Sequence, residues 1–420
     1  MLFSLLPAPK QKGLDTSVLR LHCGHGDCRG LASAVVYGPN AAGKTTIVGA
    51  MDTLRSIVRR GNIRNVASSR NPNAASESLE LIPNNTLTEP RPVELGIRFT
   101  ADGLCLDYSL SLALGLFLSA DMAARRVQQE RLLVNDQLVF QRGDALQLGD
   151  LSFIHDYLAP GFAANAAGAL TLAQANLASD ELFLMNGFKT MFSARLAGVI
   201  ANWLEHDFLV VYRADALQLV RHGRAAGQPL ELGPVLRDAV RALGADANEL
   251  GYISQGEQRE ARLVSLFSLT GKRMAVPAEV FESYGTLRFM NLFPLIVETL
   301  RRGSTLVVDE FDASLHPAAL MSIIRVFHDP TVNVHGAQLV FNTHNPIFLD
   351  GELFRRDEIK FVERDAQSHL SVQYSLADFG TSGPSGVRRG EDYLRNYFVD
   401  RYGAIREVDF APILRKLIAG

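Results

Sequence analysis

The stretch "VVYGPNAAGKTTIVGAM", Val35 to Met51, decides the fold. It contains the pattern G-x-x-x-x-G-K-[ST] as "GPNAAGKT", Gly38 to Thr45. In this pattern glycines allow backbone N–H groups to wrap around phosphate oxygens, and the lysine neutralises their charge. The apolar run before the pattern predicts a buried strand, and apolar residues at helical spacing after it predict a helix over 44–60. The sequence therefore predicts a phosphate loop between a strand and a helix, whose N-terminus adds a favourable dipole for an anion.

The residues expected to bind nucleotide phosphates are those of this loop and of the first helical turn. They are Gly38, Pro39, Asn40, Ala41, Ala42, Gly43, Lys44, Thr45 and Thr46. The arginines at the other end of the helix, Arg55, Arg59 and Arg60, suit a helix C-terminus, where positive charge is favourable. We prefer this interpretation of the arginines to a contact with DNA.

A second apolar run, "STLVVDEFD", ends in carboxylates. A phosphate loop alone indicates only nucleotide binding, and hydrolysis also needs a magnesium ligand and a group that polarises water. We expect Asp309 to hold Mg²⁺ together with Thr45, and Glu310 to orient the attacking water. An isolated Asp-Glu pair at a strand end usually forms a solvated turn, but the phosphate loop favours the functional interpretation here.

Two further positions belong to the predicted site. His344 in "LVFNTHNP" follows the next buried strand, at the end where open α/β sheets bind ligands, and we expect it to meet the γ-phosphate. Ser283 and Gly285 in "FESYGTLRFMNLFPLI" precede a helix predicted from Thr286 and would present N–H groups to an anion. Taken alone, His344 is a structural histidine. Taken alone, the turn with Ser283 and Gly285 is an ordinary helix cap.

In this order, the motifs resemble the ABC-type ATPase heads shared by SMC-like repair proteins. The resemblance is closer to the stand-alone AAA-family ATPases of bacterial anti-phage systems, a group that includes RloA, the AbiL and PARIS ATPases and the ATPase half of OLD nucleases. It rests on "YGPNAAGKTT", "ESYGTLR", "VVDEFDASLHP" and "NTHNP", supported by "RRDEIKFVERD", "YSLADF" and "RYGAI" near the C-terminus. It covers roughly residues 30 to 60 and 280 to 405, and the middle of the chain matches only loosely.

The resemblance implies a role for each matched residue. Lys44 and Thr45 would bind phosphates and Mg²⁺, Asp309 the metal, and Glu310 the attacking water. Ser283 and Gly285 would form the signature turn, which in such heads reaches the nucleotide of another subunit. His344 would be the switch histidine, and the loop from Asp312 to Pro317 would cross the dimer interface.

The chain departs from the family pattern in three places. Tyr284 replaces the small residue common in transporter signatures, and His316 stands where many such heads carry an aspartate. The glutamine that usually follows the first β-lobe has no evident counterpart.

The fold predicted from the motifs and the resemblance is α/β: an ABC-type P-loop ATPase head with a mixed sheet, an antiparallel β-lobe and a mainly helical insertion. The 420 residues suffice for one large domain with an insertion, or for two domains. We place the N-terminal part of the head in 1–155, the insertion in 156–250 and the C-terminal part of the head in 251–420.

Alternation predicts hairpins at 101–103, at 135–137 and around Gly271, and helical spacing predicts a helix over 235–243. An apolar stripe from Leu182 to Trp203 is expected in the core.

Several observations limit the location and the cofactors. No apolar run approaches the ~20 residues that a membrane span needs, and three cysteines in a long chain argue against a disulfide framework. We therefore expect a cytoplasmic protein without a membrane partner.

His22, Cys23, His25 and Cys28 lie too close in sequence to surround one ion easily, so a strand and turn is preferred to a zinc site. The expected ligands are ATP and Mg²⁺.

The first functional hypothesis is an ATPase that forms at least a dimer on ATP and controls a separately encoded effector in anti-phage defence. The chain after His344 is too short for the nuclease domain that OLD proteins append, so we expect a TOPRIM-type nuclease from a neighbouring gene. A phage-derived trigger is a further expected partner. The formal net charge of -3 shows no global basic field, which leaves DNA binding open.

Three alternatives come from other classes. A DNA-binding, SMC-like repair ATPase would need a long coiled coil, for which 156–250 is too short and too globular. A transporter subunit is disfavoured by the large insertion and the missing glutamine. A module that holds ATP without turnover is disfavoured by Glu310, because a pure sensor needs no water-activating carboxylate.

Overall fold

The computed structural model gives the fold of most of the chain. It describes residues 1–9, 11, 13–23, 26–64, 81, 83, 89–116, 125–212, 221–222, 229–244, 249–255, 260–270, 272–383, 386–406 and 409–418.

A mixed sheet at the centre of the fold carries the predicted phosphate loop. Its six strands, in spatial order, are β18 (Ser371–Ser375), β17 (Ile359–Arg364), β3 (Ser33–Tyr37), β16 (Gln338–Asn342), β15 (Thr305–Val308) and β9 (Phe208–Val211). Each neighbouring pair is parallel except β17 and β18. The carboxyl ends of β3, β15 and β16 therefore meet at one edge, which is where α/β sheets bind ligands.

Both faces of this sheet are covered. Within β15, Val307 packs into one apolar cluster, while Leu306 and Val308 pack into another. Because successive side chains of a strand point to opposite faces, the alternation places one cluster on each side of the sheet. Every residue of the strands "SAVVY" and "TLVV" is buried, and this double burial explains why most of their residues are apolar.

Three helices flank the edge of the sheet that carries the motifs. They are α1 (Lys44–Arg60), α7 (Tyr284–Arg302) and α8 (Pro317–His328). The bounds of α1 confirm the predicted helix. Arg55 and Arg59 of α1 contact the chain at 204–205, through the Leu204 carbonyl at 2.7 Å and Glu205 at 3.0 Å, as expected for arginines used inside the fold.

An antiparallel sheet forms the β-lobe. Its strands are β4 (Val93–Ala101), β5 (Leu104–Ala113), β6 (Arg126–Val134), β7 (Gln137–Arg142) and β8 (Leu146–Leu148). The turns after β4 and β6 confirm the hairpins predicted at 101–103 and 135–137. The inward residues of this lobe join the apolar cluster that also contains α1.

The range 156–250, predicted as a mainly helical insertion, also contains a strand of the central sheet. Its helices are α2 (Phe162–Asn176), α3 (Lys189–Met191), α4 (Ala194–Asn202) and α5 (Pro234–Ala242), with π-helical turns at Leu184–Phe188 and Trp203–Asp207. The strand β9 pairs in parallel with β15, so the chain returns to the head inside this range. Phe188, Phe192 and Leu196 are fully buried, which confirms the core stripe. The domain boundaries stay a prediction.

The remaining elements surround the central sheet. They are the hairpin β1 (Val18–Cys23) and β2 (Gly26–Leu31), the sheet of β10 (Arg221–His222), β11 (Pro229–Glu231), β12 (Glu249–Gln255), β13 (Glu260–Leu269) and β14 (Lys272–Pro277), and the helices α6 (Ala278–Phe281), α9 (Tyr393–Phe398) and α10 (Ala411–Ile418). The hairpin of β13 and β14 confirms the one predicted around Gly271, which itself lies outside the described residues.

The hairpin of β1 and β2 contains three of the four candidate metal ligands. His22 and Cys23 lie on β1 and Cys28 on β2, as the preferred strand-and-turn interpretation predicts, and His25 lies outside the described residues. Within the described ranges no cluster of side chains suits a metal ion of this kind. Cys28 is disulfide-bonded and Cys105 is a free thiol, although the cysteine count argued against a disulfide framework. Of the helices that the structure describes, none is long and apolar enough to cross a membrane.

Candidate nucleotide site

The phosphate loop turns tightly after β3 and leaves no room for side chains at two positions. A Cβ added to Gly38 would lie 2.3 Å from the carbonyl oxygen of Val362 on β17. Gly43 has a φ of 112°, in the left-handed region that favours glycine. On the other side, Ser371 of β18 donates its hydroxyl to the Ala42 carbonyl over 2.7 Å. The strands β17 and β18 thus support the loop from behind.

Lys44 is buried beneath the loop. Its Nζ donates to the carbonyl oxygens of Gly38 at 2.7 Å and Pro39 at 3.1 Å. Burial lowers the pKa of Lys44, while the nearby carboxylates of Glu310, Asp309 and Asp312 act in the opposite direction. The Lys44 ammonium thus donates to two neutral carbonyl oxygens of the loop. A phosphate bound in the loop would be a stronger acceptor for this ammonium, because it carries negative charge.

Thr45 and Asp309 meet where α1 begins and β15 ends. The Thr45 hydroxyl donates to Asp309 Oδ1 over 3.1 Å. Asn342, the last residue of β16, donates its side-chain amide to the same carboxylate oxygen. The Asp309 N–H in turn donates to the Val211 carbonyl of β9 over 3.0 Å. Side chains from α1 and β16 therefore hold the carboxylate, and β9 holds the backbone of Asp309.

The donor set around Asp309 fits the metal that the motifs imply. A threonine hydroxyl and a carboxylate are hard oxygen ligands, and Mg²⁺ bound to nucleotides uses one or two such groups with water and phosphate oxygens. Thr45 and Asp309 would hold the ion. The geometry brings these two residues together, as the sequence predicted.

Glu310 lies at the exposed surface of the same edge. Its φ of 50° is in the left-handed region, which is unusual for a residue other than glycine. Its N–H donates to Asn342 Oδ1 over 2.6 Å, and its carbonyl accepts hydrogen bonds from Ala313 N–H at 3.1 Å and from the Arg288 guanidinium. The backbone on both sides of Glu310 is therefore held while its side chain stays accessible to solvent.

His344 follows β16 and belongs to the same electrostatic environment. Burial and the positive charge of Lys44 lower its pKa, and the carboxylates of Glu310, Asp312 and Asp309 act in the opposite direction. The imidazole is thus neutral at neutral pH, and the charges of the other site residues influence its pKa. His344 thus follows the carboxyl end of β16, and its contact with the γ-phosphate stays a prediction.

Ser283 and Gly285 lie at the start of α7, beside the segment that follows β15. Ser283 is the N-cap of α7, and its Oγ accepts from the Thr286 N–H over 3.1 Å. A Cβ at Gly285 would lie 2.4 Å from the Ser314 carbonyl, so Gly285 packs on the loop predicted to cross an interface. The predicted helix start at Thr286 is wrong by two residues, because α7 begins at Tyr284 directly after its Ser283 cap and Gly285 therefore lies in its first turn.

Two residues of the site escaped the sequence-based prediction. Asn342 and Arg288 are 1% and 8% exposed, yet both are polar and both hold the Glu310 turn. A polar residue at the last position of a buried strand, or on the apolar face of a helix, is the signal that could have identified them. His316, which departs from the family pattern, caps α8 through its Nδ1, which accepts from Ala318 N–H over 3.2 Å.

Comparisons with known proteins agree with this geometry in part. Residues 197–350 match a family model described as "AAA domain, putative AbiEii toxin, Type IV TA system". The matched range contains Asp309, Glu310 and His344 and supports an AAA-type ATPase domain. No curated protein matches the chain.

Among solved structures, one similar chain comes from the "Crystal structure of the SmcHead bound to the C-winged helix domain of ScpA". The TM-score is 0.33 at 10% sequence identity, and the match covers 86% of this chain and 98% of that chain. The fold assignment therefore rests on the sheet order and the phosphate loop described above. Together these features give the chain a mixed α/β fold with a phosphate loop after a central parallel strand and a separate antiparallel β-lobe.

Proposed function

We propose that this chain hydrolyses ATP with Mg²⁺, assembles through bound ATP into at least a dimer, and controls a separate effector protein in anti-phage defence. The observation that carries the catalytic part is the contact between the Thr45 hydroxyl and Asp309 at the end of the phosphate loop. It joins a phosphate-binding element to a metal-binding carboxylate, and Glu310 follows in the next position.

The chemistry follows from what these residues can do. When bound, Mg²⁺ neutralises charge on the phosphate oxygens. Lys44 and the N–H groups of the loop hold the phosphates, and Thr45 and Asp309 hold the metal. Glu310, exposed and fixed through its backbone, accepts a proton from the attacking water or orients it. The neutral His344 imidazole has one N–H, which can donate a hydrogen bond to an oxygen of the γ-phosphate.

The assembly part of the proposal is supported by the surface around Ser283. Ser283 is exposed, and beside it Val280, Phe281 and Tyr284 are 66%, 54% and 68% exposed. Apolar side chains grouped around a serine cap are more suited to an interface than to solvent. In the proposed dimer, Ser283 and Gly285 reach the nucleotide of the second copy, and the 312–317 loop lies at the same interface.

The effector part of the proposal is supported by the family description, which names a toxin and a toxin–antitoxin system. We propose a nuclease of the TOPRIM type, encoded by a neighbouring gene, and a trigger derived from the phage. We also propose a cytoplasmic location.

The first experiment measures phosphate release from ATP by the purified wild-type protein, with Mg²⁺ and with EDTA. The same measurement is made with the Lys44→Ala variant. We expect release that depends on Mg²⁺ and on Lys44.

The second experiment measures the mass of the chain, copurified with the product of the neighbouring gene, with and without ATP. Absence of turnover in every oligomeric state, with or without that product, would overturn the ATPase. A chain that hydrolyses ATP but never binds the product would overturn only the effector.

A further inference from the structure

Arg288 connects the helix that carries the proposed signature turn to the backbone of Glu310. It lies in the second turn of α7, after the Ser283 cap, and its side chain is buried. Its guanidinium donates to the main-chain carbonyl of Glu310. A buried guanidinium is used where its fixed fork of donors fits a particular acceptor, and here the acceptor is the turn that aims a predicted catalytic carboxylate.

The Glu310 turn needs such support because its backbone conformation is unfavourable. Its left-handed φ of 50° brings Cβ close to the following carbonyl, and residues with side chains keep this conformation only when their surroundings impose it. Asn342 holds the N–H of Glu310, and Arg288 holds the carbonyl together with Ala313 N–H. Within these contacts Arg288 is the one that comes from α7.

The N-terminus of α7 contacts the same loop a second time. Gly285 packs against the Ser314 carbonyl so closely that any side chain at 285 would collide with it. The first turns of α7 and the segment 310–314 thus touch at two places, one beside Ser283 and one at Glu310. A displacement of the helix tip therefore reaches the Glu310 turn through direct contacts.

We propose that Arg288 is a positioning residue that fixes the Glu310 turn and transmits the state of the Ser283 helix tip to it. The inference rests on the proposed function, in which a second subunit binds at Ser283 and Glu310 orients water. Docking of a second copy at the helix tip then presses α7 against the turn and aligns Glu310 of the same subunit. Each subunit of the dimer would thereby sense through α7 that its neighbour is in place.

The test compares Arg288→Met, which keeps the apolar stem, with Arg288→Lys and with Arg301→Met. Arg301 lies on the same helix, but its guanidinium pairs with Glu298 at 2.7 Å on the surface, so it is a matched control. We expect Arg288→Met to lower kcat for ATP about tenfold to a hundredfold while KM changes less than about twofold, because orientation is lost and nucleotide binding is not. Arg288→Lys should recover part of kcat, and Arg301→Met should match the wild type.

A second measurement does not depend on turnover. Amide hydrogen exchange without nucleotide should become faster in Arg288→Met at 310–315, with α1 and the central strands unchanged. If the wild type hydrolyses ATP and Arg288→Met retains its kcat, the inference fails and the proposed function stands. If the wild type does not hydrolyse ATP, the proposed function fails, and unchanged exchange at 310–315 would also refute the positioning role. A general rise in exchange would indicate loss of packing and likewise overturn the inference.

Discussion

Thr45 Oγ1 donates a hydrogen bond to Asp309 Oδ1 over 3.1 Å and so joins the first turn of α1 to the end of β15. The two residues are far apart in sequence, and the parallel pairing of β3, β16 and β15 brings them together. In the proposed site this hydroxyl and this carboxylate would supply two of the roughly six oxygen ligands of Mg²⁺, and phosphate oxygens and water would supply the others.

Asp309→Asn should therefore lower Mg²⁺-dependent hydrolysis at least about a hundredfold, because a metal ligand loses its charge. Thr45→Val keeps the shape but removes the hydroxyl, and should raise the Mg²⁺ concentration for half-maximal rate at least about tenfold. Phosphate release in a Mg²⁺ titration measures both. A Thr45→Val protein with an unchanged Mg²⁺ requirement would contradict the shared metal site.

Glu310→Gln should retain ATP binding and accumulate an assembly bridged by ATP. The backbone of Glu310 carries its hydrogen bonds to Asn342 and Arg288, so the exchange of a carboxylate for an amide leaves the turn in place. We expect hydrolysis to fall about a hundredfold or more, as for the loss of a general base. Lys44→Ala should lose both ATP binding and assembly. Turnover of radiolabelled ATP at the wild-type rate in Glu310→Gln would count against the assignment.

The strand, loop and helix around Lys44 could be predicted because local pattern alone encodes them. A phosphate loop needs glycines at fixed spacing, and the apolar runs beside it have the periods of a buried strand and an amphipathic helix. Asp309 and His344 could be placed at the same edge because parallel strands end together.

The missed features depend on contacts that no local pattern contains. Arg288 and Asn342 hold the Glu310 turn only because α7 and β16 lie beside it in three dimensions. The strand β9 was included in a helical range because its four residues directly follow a π-helical turn, and its strand character depends on the pairing with β15. Tertiary context determines short strands of this kind more than intrinsic propensity does.

Ser283→Arg should abolish hydrolysis without lowering ATP binding by single subunits. The serine is exposed, so an arginine fits on its own subunit, but it would occupy the space of a nucleotide bound by the second copy. The change also removes the N-cap, which costs about 1 kcal/mol. Ser283→Ala removes the cap without adding bulk and serves as the control.

Mixing the two defective proteins gives a sharper test of the shared site. A dimer of one Lys44→Ala and one Ser283→Arg subunit contains one site with both residues intact. If half of the dimers in the mixture are mixed, each with one working site of two, about a quarter of the wild-type rate should return. A mixture that stays inactive although its subunits exchange would contradict the proposal that Ser283 acts across an interface.

Asn342→Leu should impair hydrolysis more than ATP binding. The Asn342 amide holds the Asp309 carboxylate and accepts the Glu310 N–H, so its loss leaves a buried N–H without an acceptor and frees both carboxylates. We expect kcat to fall at least about tenfold while the ATP dissociation constant changes less than about threefold, since Lys44 and the loop are untouched. Comparison of rates with nucleotide binding by fluorescence checks this, and equal losses in both would refute it.

Glu130 should stabilise the attachment of the β-lobe to the π-helical turn at 184–188. It is fully buried on β6, and its carboxylate accepts hydrogen bonds from the N–H groups of Phe183 at 2.6 Å and Leu184 at 2.9 Å and from the Tyr108 hydroxyl at 2.8 Å. Glu130→Ala leaves these donors without an acceptor and should lower the free energy of unfolding by about 3 kcal/mol or more. Urea unfolding measures this loss.

The same residue predicts a pH dependence of stability. Burial raises the pKa of the Glu130 carboxyl, while the hydrogen bonds to Leu184 and Phe183 act in the opposite direction. Because the folded pKa lies above the unfolded one, the folded state binds the proton more tightly. The corresponding stability is fully present below the unfolded pKa and is lost as the pH rises through the folded pKa. The free energy of unfolding of the wild type, relative to the non-titrating Glu130→Gln, should therefore decrease from about pH 4.5 upward. A difference that grows with pH would show that the hydrogen bonds outweigh desolvation and that the carboxylate is the favoured form.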